Sequence, residues 1–206
     1  VLIWLLVVYG MVLAMVAVGG ITRLTGSGLS MTEWHPLMGW IPPVTQESWL
    51  AVFDLYKQSP QYVEVNHWMD LDDFKQIFFW EYVHRVLGRM IGTVFFLPWL
   101  VFVVRGSLRG IWAWRTFIAF VLGGAQGLLG WFMVQSGLTD VPEVSHYRLA
   151  AHLSLAFTVG AYVLWLVMDI CWSRRSESVH SLFWASVSFM GLLALQVVYG
   201  AFMAGK

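Results

Sequence analysis

The chain has 206 residues, of which 59% are hydrophobic and only 12% charged, with no net charge and a mean hydropathy of +0.69. A soluble domain of this length carries roughly twice that share of charge, so this is the composition of a membrane protein. Neutrality weighs against a nucleic acid, or an acidic substrate captured by bulk charge, and a lone cysteine, Cys171, rules out an internal disulfide and a thiolate metal cluster.

Five apolar runs of spanning length are predicted, at about residues 1–19, 78–104, 116–134, 148–172 and 182–204. Backbone groups in lipid must bond within their own segment, and no alternating pattern suggests a barrel, so all five read as helices. The first run has neither a basic leader nor a small-residue cleavage site and reads as a retained span. Loop charges set the orientation. Arg105, Arg109 and Arg115 crowd the second connection and Arg174 and Arg175 the fourth, which places both on the inner side with the N-terminus. The first and third connections are then outside.

The first loop, residues 20–77, is too long for a turn. It opens with GGITRLTGSGLS, rich in residues that permit tight backbone paths. Trp34, Pro36, Trp40, Pro42 and Pro43 predict a rigid stretch on the membrane surface. Residues 47–75 predict an amphipathic helix carrying Trp49, Val52, Phe53 and Tyr56 on one face. Together these make a lid or interfacial cover.

The second span begins with ionisable groups, Glu81, His84, Arg85 and Arg89. Such groups at membrane depth are costly and mark a functional site by default. At about 100° per residue, Glu81, His84, Arg85 and Gly88 share one face, and Gly88 admits a flat ligand or a neighbouring helix. The third span carries GGAQGLLGW, read as a packing face across which Gln126 could bond. The fourth repeats the theme of the second, with Arg148 and His152 four residues apart. Tryptophans such as Trp112, Trp114 and Trp172 suit headgroup level, and Cys171 reads as a reduced, packed thiol. The fifth span ends in YGAFMAGK, a faint echo of VGGITR at the end of the first.

His84 and His152 lie about six and five residues inside their spans, which sets both imidazoles on the order of 8 to 9 Å below the outer boundary. Two histidines at one depth on different helices could take both axial positions of a heme iron. Alternatively they are interior histidines bonded to backbone or to each other. Arg85, Arg89 and Arg148 would neutralise propionates or snorkel to the interface. Glu81 would take a proton or stabilise a developing cation, or else simply pair with Arg85. His35, His67, His146 and His180 read as solvated surface.

The segments GGITRLTGSGLSMTEW, FKQIFFWEYVHRVLGR, AQGLLGWFMVQSGL and VSHYRLAAHLSLAF resemble the heme A synthase family. The lack of a cysteine pair in the first outer loop is similar to the mitochondrial type and its close bacterial relatives. The resemblance implies an eight-span protein of two pseudo-symmetric four-helix bundles, in a bacterial plasma membrane or the mitochondrial inner membrane. It also implies an enzyme that oxidises a methyl group of heme O to a formyl group by successive hydroxylations, giving heme A for terminal oxidases. By position, Glu81 matches the family's essential carboxylate. His84 and His152 match the heme-ligating pair of the N-terminal bundle, which opens to the outer side. A second bundle with its own histidine pair and a heme B is expected beyond these residues.

The expected fold is therefore an all-α membrane protein. Residues 1–172 form a four-helix bundle with the outer loop 20–77, and residues 173–206 form an inner loop and a fifth helix that begins the second bundle. Expected partners are heme O and membrane lipid, with heme O synthase, oxidase assembly factors and a second copy of the chain as candidates. A bis-histidine electron-transfer cytochrome b is the competing reading, and a proton-relay transporter a weaker one, since few polar residues line the other spans.

Overall fold

The computed structural model of the chain describes residues 1–33, 40–138, 142–172 and 180–204. These residues fold into α1 (Leu2–Leu24), α2 (Gln46–Tyr56), α3 (Leu71–Val104), α4 (Gly110–Gln135), α5 (His146–Cys171) and α6 (His180–Ala204), with no strand among them. All but α2 are long and apolar enough to cross a membrane. The fold is an all-α integral membrane protein.

Helices α1, α3, α4 and α5 pack in a closed ring, α1 on α3, α3 on α4, α4 on α5 and α5 on α1, and α6 lies against α5. One end of the ring is filled by Trp4, Leu5, Val8 and Val12 of α1, Phe95 of α3, Ala119 of α4, and Val159, Val163, Leu166 and Val167 of α5. Pro98 in α3 has no N–H to give the carbonyl of Val94, an orphan that lipid cannot satisfy. The indole of Trp4 donates to that oxygen at 2.9 Å, so α1 mends the gap in α3. At the same end Arg115 of α4 pairs with Asp169 of α5 at 2.8 Å, and Tyr162 donates to the Arg115 carbonyl at 3.1 Å.

The first loop is a folded cap with its own core, formed by Phe53 and Tyr56 of α2 with Phe74, Ile77 and Phe78 of α3. The rings of Phe53 and Tyr56 both stack on Phe74 with centroids 5.0 Å apart. The single helix expected over residues 47–75 is broken. Pro60 cannot donate to the Tyr56 carbonyl, which is taken by the Ser59 amide at 2.9 Å, and the chain turns before a short π-helical stretch, Tyr62–Asn66. Thr45 caps α2 through Ser48. Asp70 caps α3, accepting from the amides of Asp72 and Asp73 at 2.8 and 3.0 Å. That cap starts α3 seven residues before Phe78, so about 10 Å of helix projects toward the cap.

Burial pushes the Tyr56 phenol above its usual pKa, and the protonated hydroxyl donates to Gln61 at 3.0 Å while accepting from Asn66 at 2.8 Å. Gln61 in turn donates to the Gly26 carbonyl at 3.0 Å, which fastens the cap to the stretch that follows α1.

Other expectations change. Cys171 is exposed rather than packed, because it ends α5 where the helix leaves its neighbours. His146 is half-buried at the joint of α5 and α6, its ring 6.0 Å from that of Phe202, whereas His67 is exposed as expected. Residues 34–39, with Trp34, His35 and Pro36, and residues 173–179, with Arg174 and Arg175, lie outside the described residues, as does the side chain of His180. The echoing ends of α1 and α6 meet, with Arg23 donating to the Ala204 carbonyl at 2.6 Å.

Candidate functional site

Glu81 is only 2% exposed, so its carboxylate must find its donors within the protein. One oxygen accepts from the Ser30 hydroxyl and from the Met31 amide, each at 2.7 Å, and the other accepts from the Arg85 guanidinium one turn along. Arg85 continues outward, donating to the carbonyls of Met31 and Glu33 at 2.8 Å each. Carboxylate and guanidinium thus bind one short backbone stretch, residues 30–33, from both sides of its peptide groups. Ser27, Leu29 and Ser30 there are themselves buried. The 3₁₀ turn at Ser27–Leu29 delivers this stretch to α3.

The two imidazoles are each seated on a glycine of the preceding long helix. A Cβ on Gly19 of α1 would stand 3.3 Å from Nε2 of His84, and one on Gly130 of α4 would stand 2.9 Å from Cε1 of His152, closer than real contacts allow. A methyl group at position 130 would force the His152 ring to shift, and one at position 19 would make the His84 ring give by a few tenths of an ångström. His84 lies against α1 and His152 against α4, and all four of these helices belong to the one closed ring. The two depths match at the span boundary and not at the helix starts: His84 lies thirteen residues into α3, of which the first seven project toward the cap, and His152 lies six residues into α5.

Gln126, four residues before Gly130 on the same face of α4, reaches across to His152. Its amide nitrogen is 3.0 Å from the His152 carbonyl oxygen and 3.3 Å from Nε2 of the ring. Two buried polar atoms here have no partner, Oε1 of Gln126 and Nδ1 of His152. Gln126 stood out in the sequence only as a polar residue in a glycine run, with nothing to say it would face a histidine. The rest of that run packs on nothing among the described residues, for a Cβ on Gly123, Gly124 or Gly127 would meet nothing within 4 Å. Gly88 receives the Met15 side chain of α1, a neighbouring helix rather than a flat ligand.

The remaining arginines stand at the rim. Arg148 donates to the Phe132 carbonyl at 2.6 Å with its guanidinium 3.7 Å from the Phe132 ring centre, which ties α5 to α4. Arg89 lies 5.8 Å from the Trp40 ring, whose backbone oxygen accepts from Tyr82 at 2.6 Å. Among the described residues no group of three or more His, Cys, Asp or Glu gathers to hold a bare metal ion. Two imidazoles from separate helices are instead the donor set that suits a metal already held by a macrocycle.

Comparison with known proteins gives a consistent result. A family model described as COX15-CtaA, cytochrome oxidase assembly protein, matches residues 2–206. The chain is 50% identical over 202 residues to a heme A synthase of Parvibaculum lavamentivorans, covering 98% of this chain and 59% of that protein. It is 46% identical over 208 residues to one of Nitrosomonas eutropha, covering 98% and 58%, and 44% identical over 207 residues to one of Flavobacterium psychrophilum, covering 100% and 61%. It thus spans about three fifths of the length of these relatives. No solved structure matches it.

Proposed function

Because the chain belongs to the COX15-CtaA family of cytochrome oxidase assembly proteins, we propose that it forms the substrate half of a heme A synthase. Such an enzyme oxidises a methyl group of heme O to a formyl group through successive hydroxylations and supplies heme A to cytochrome oxidase. The observation that carries this reading is the pair of glycine-seated imidazoles on α3 and α5, with His84 one helical turn from the buried, Arg85-paired Glu81.

The residues fit a porphyrin. His84 and His152 offer ring nitrogens from two helices, and two buried polar atoms without partners, Nδ1 of His152 and Oε1 of Gln126, mark the surroundings of His152 as unfinished polar ground. Bound heme would bring the iron and the conjugated ring that makes its methyl group oxidisable. His84 and His152 would hold the iron, Arg89 and Arg148 would meet the propionates, and Arg85 would add its charge while steadying Glu81. When hydride or electrons leave a methyl carbon, the charge that develops is positive. Glu81 would stabilise that charge and help take the proton of the water that adds.

A second bundle with its own histidine pair and a heme B, and an electron acceptor, belong to the same proposal and lie outside these residues. The arginines at 105, 109 and 115 favour an inner N-terminus and a site toward the outer, periplasmic or intermembrane, side.

The test is pigment extraction from membranes that contain the intact protein and heme O. Glu81→Gln keeps shape and loses charge, so it is expected to retain heme O while the hydroxylated product and heme A disappear. Unaltered conversion would sink the assignment of Glu81. Recovery of heme B alone from the unmutated protein would point to an electron carrier instead.

A further inference from the structure

The amide of Gln126 can face His152 in only one way. Turned over, it would set its oxygen 3.0 Å from the His152 carbonyl oxygen, a repulsive contact, so the NH2 group points at His152 and both its hydrogens are engaged there. Nε2 of the ring must then be the acceptor, with the ring proton on Nδ1. That Nε2 lone pair is also what a histidine offers to a metal. Gln126 and an iron would therefore compete for the same electrons.

The surroundings sharpen the competition. Nδ1–H of His152 and Oε1 of Gln126 are both buried without partners, each bearing the desolvation penalty of an unmade hydrogen bond. The ring fills the space a side chain at position 130 would take, since a Cβ there would stand 2.9 Å from its Cε1. One shared bond flanked by two orphans is an arrangement ready to change partners. The other imidazole is set differently, for its Nε2 is the ring atom that a Cβ on Gly19 would meet first, at 3.3 Å.

Resting on the function proposed above, we propose that Gln126 makes His152 the exchangeable iron ligand of this bundle. A site that would admit a substrate porphyrin and give up a product needs one iron ligand that lets go, and Gln126 would be the positioning residue that receives the imidazole. The amide stays anchored to the His152 carbonyl throughout, so the competing donor never leaves the site.

The experiment follows heme leaving the intact, detergent-purified protein loaded with hemin, with excess apomyoglobin as the acceptor. Gln126→Leu removes the amide at similar volume, and Gln126→Asn keeps it but draws it back by one methylene. The heme component lost in His152→Ala identifies the relevant phase. In both Gln126 variants that phase is expected to slow about tenfold, as for loss of one hydrogen bond that competes with the metal. A minor high-spin ferric signal in the unmutated protein is expected to vanish in both. Equal or faster release in both variants, with the high-spin signal unchanged or larger, overturns the proposal, since Gln126 would then support the ligand rather than compete with it. Failure of the functional reading looks different, because His84→Ala and His152→Ala would then leave heme content and spectrum as they are in the unmutated protein.

Discussion

Three donors converge on the Glu81 carboxylate, and two of them, the Ser30 hydroxyl and the Met31 amide, come from about fifty residues away in the chain. Hydrogen bonds to charged groups are each worth about 1.5–3 kcal/mol. On the proposed function, Ser30→Ala in the intact protein should therefore lower conversion of heme O by roughly tenfold while heme content stays constant, and Ser30→Thr should restore it; pigment ratios in extracts check both. Loss of heme together with activity would mean that Ser30 only supports the fold. The Glu81–Arg85 pair was legible in the sequence, because four residues on a helix bring two side chains together. Ser30 was not. It lay in plain sight in the serine-glycine stretch, but nothing local says which distant carboxylate a loop hydroxyl will meet. The same holds for Gln126 and His152, whose contact depends on how α4 and α5 are rotated about their axes.

At the scale of the helix, the apolar runs located the five spans and missed the start of α3. Hydropathy reports the part of a helix that lies in lipid, and the first turns of α3, Leu71 to Ile77, belong to the cap. The signal that finds them is chemical, Asp70 followed three residues on by Asp73, each side chain satisfying the other's backbone amide. Proline told the opposite story in two places. Pro60 helps end a helical path because water and loop groups there offer alternatives, whereas Pro98 sits within α3 because Trp4 supplies the missing donor. Trp4→Phe keeps most of the packing and strands the Val94 carbonyl. It should lower stability by about 1–3 kcal/mol, seen as a lower melting temperature in detergent, and Trp4→Phe combined with Pro98→Ala should recover most of that loss. No recovery would show that the indole acts through packing alone.

The whole molecule is two cores on one long helix, an aliphatic one among the spanning helices and an aromatic one in the cap, with the candidate site between them on α3. Phe74 is fully buried and stacks on both Phe53 and Tyr56, so Phe74→Ala should destabilise the cap by about 3–5 kcal/mol. Proteolysis and amide exchange should then rise across residues 46–66 while the spanning helices stay protected; uniform loss of protection would mean that the two cores melt as one. Composition was enough to read a helical membrane protein, but the closed ring of neighbours and the compactness of the first loop depend on long-range packing that no window of sequence contains. One consequence follows from residues 30–33 lying across both Glu81 and Arg85. Lifting that strip would take two of its three donors from a buried carboxylate, so any displacement of residues 30–33 is felt at once as a change in the electrostatics of Glu81.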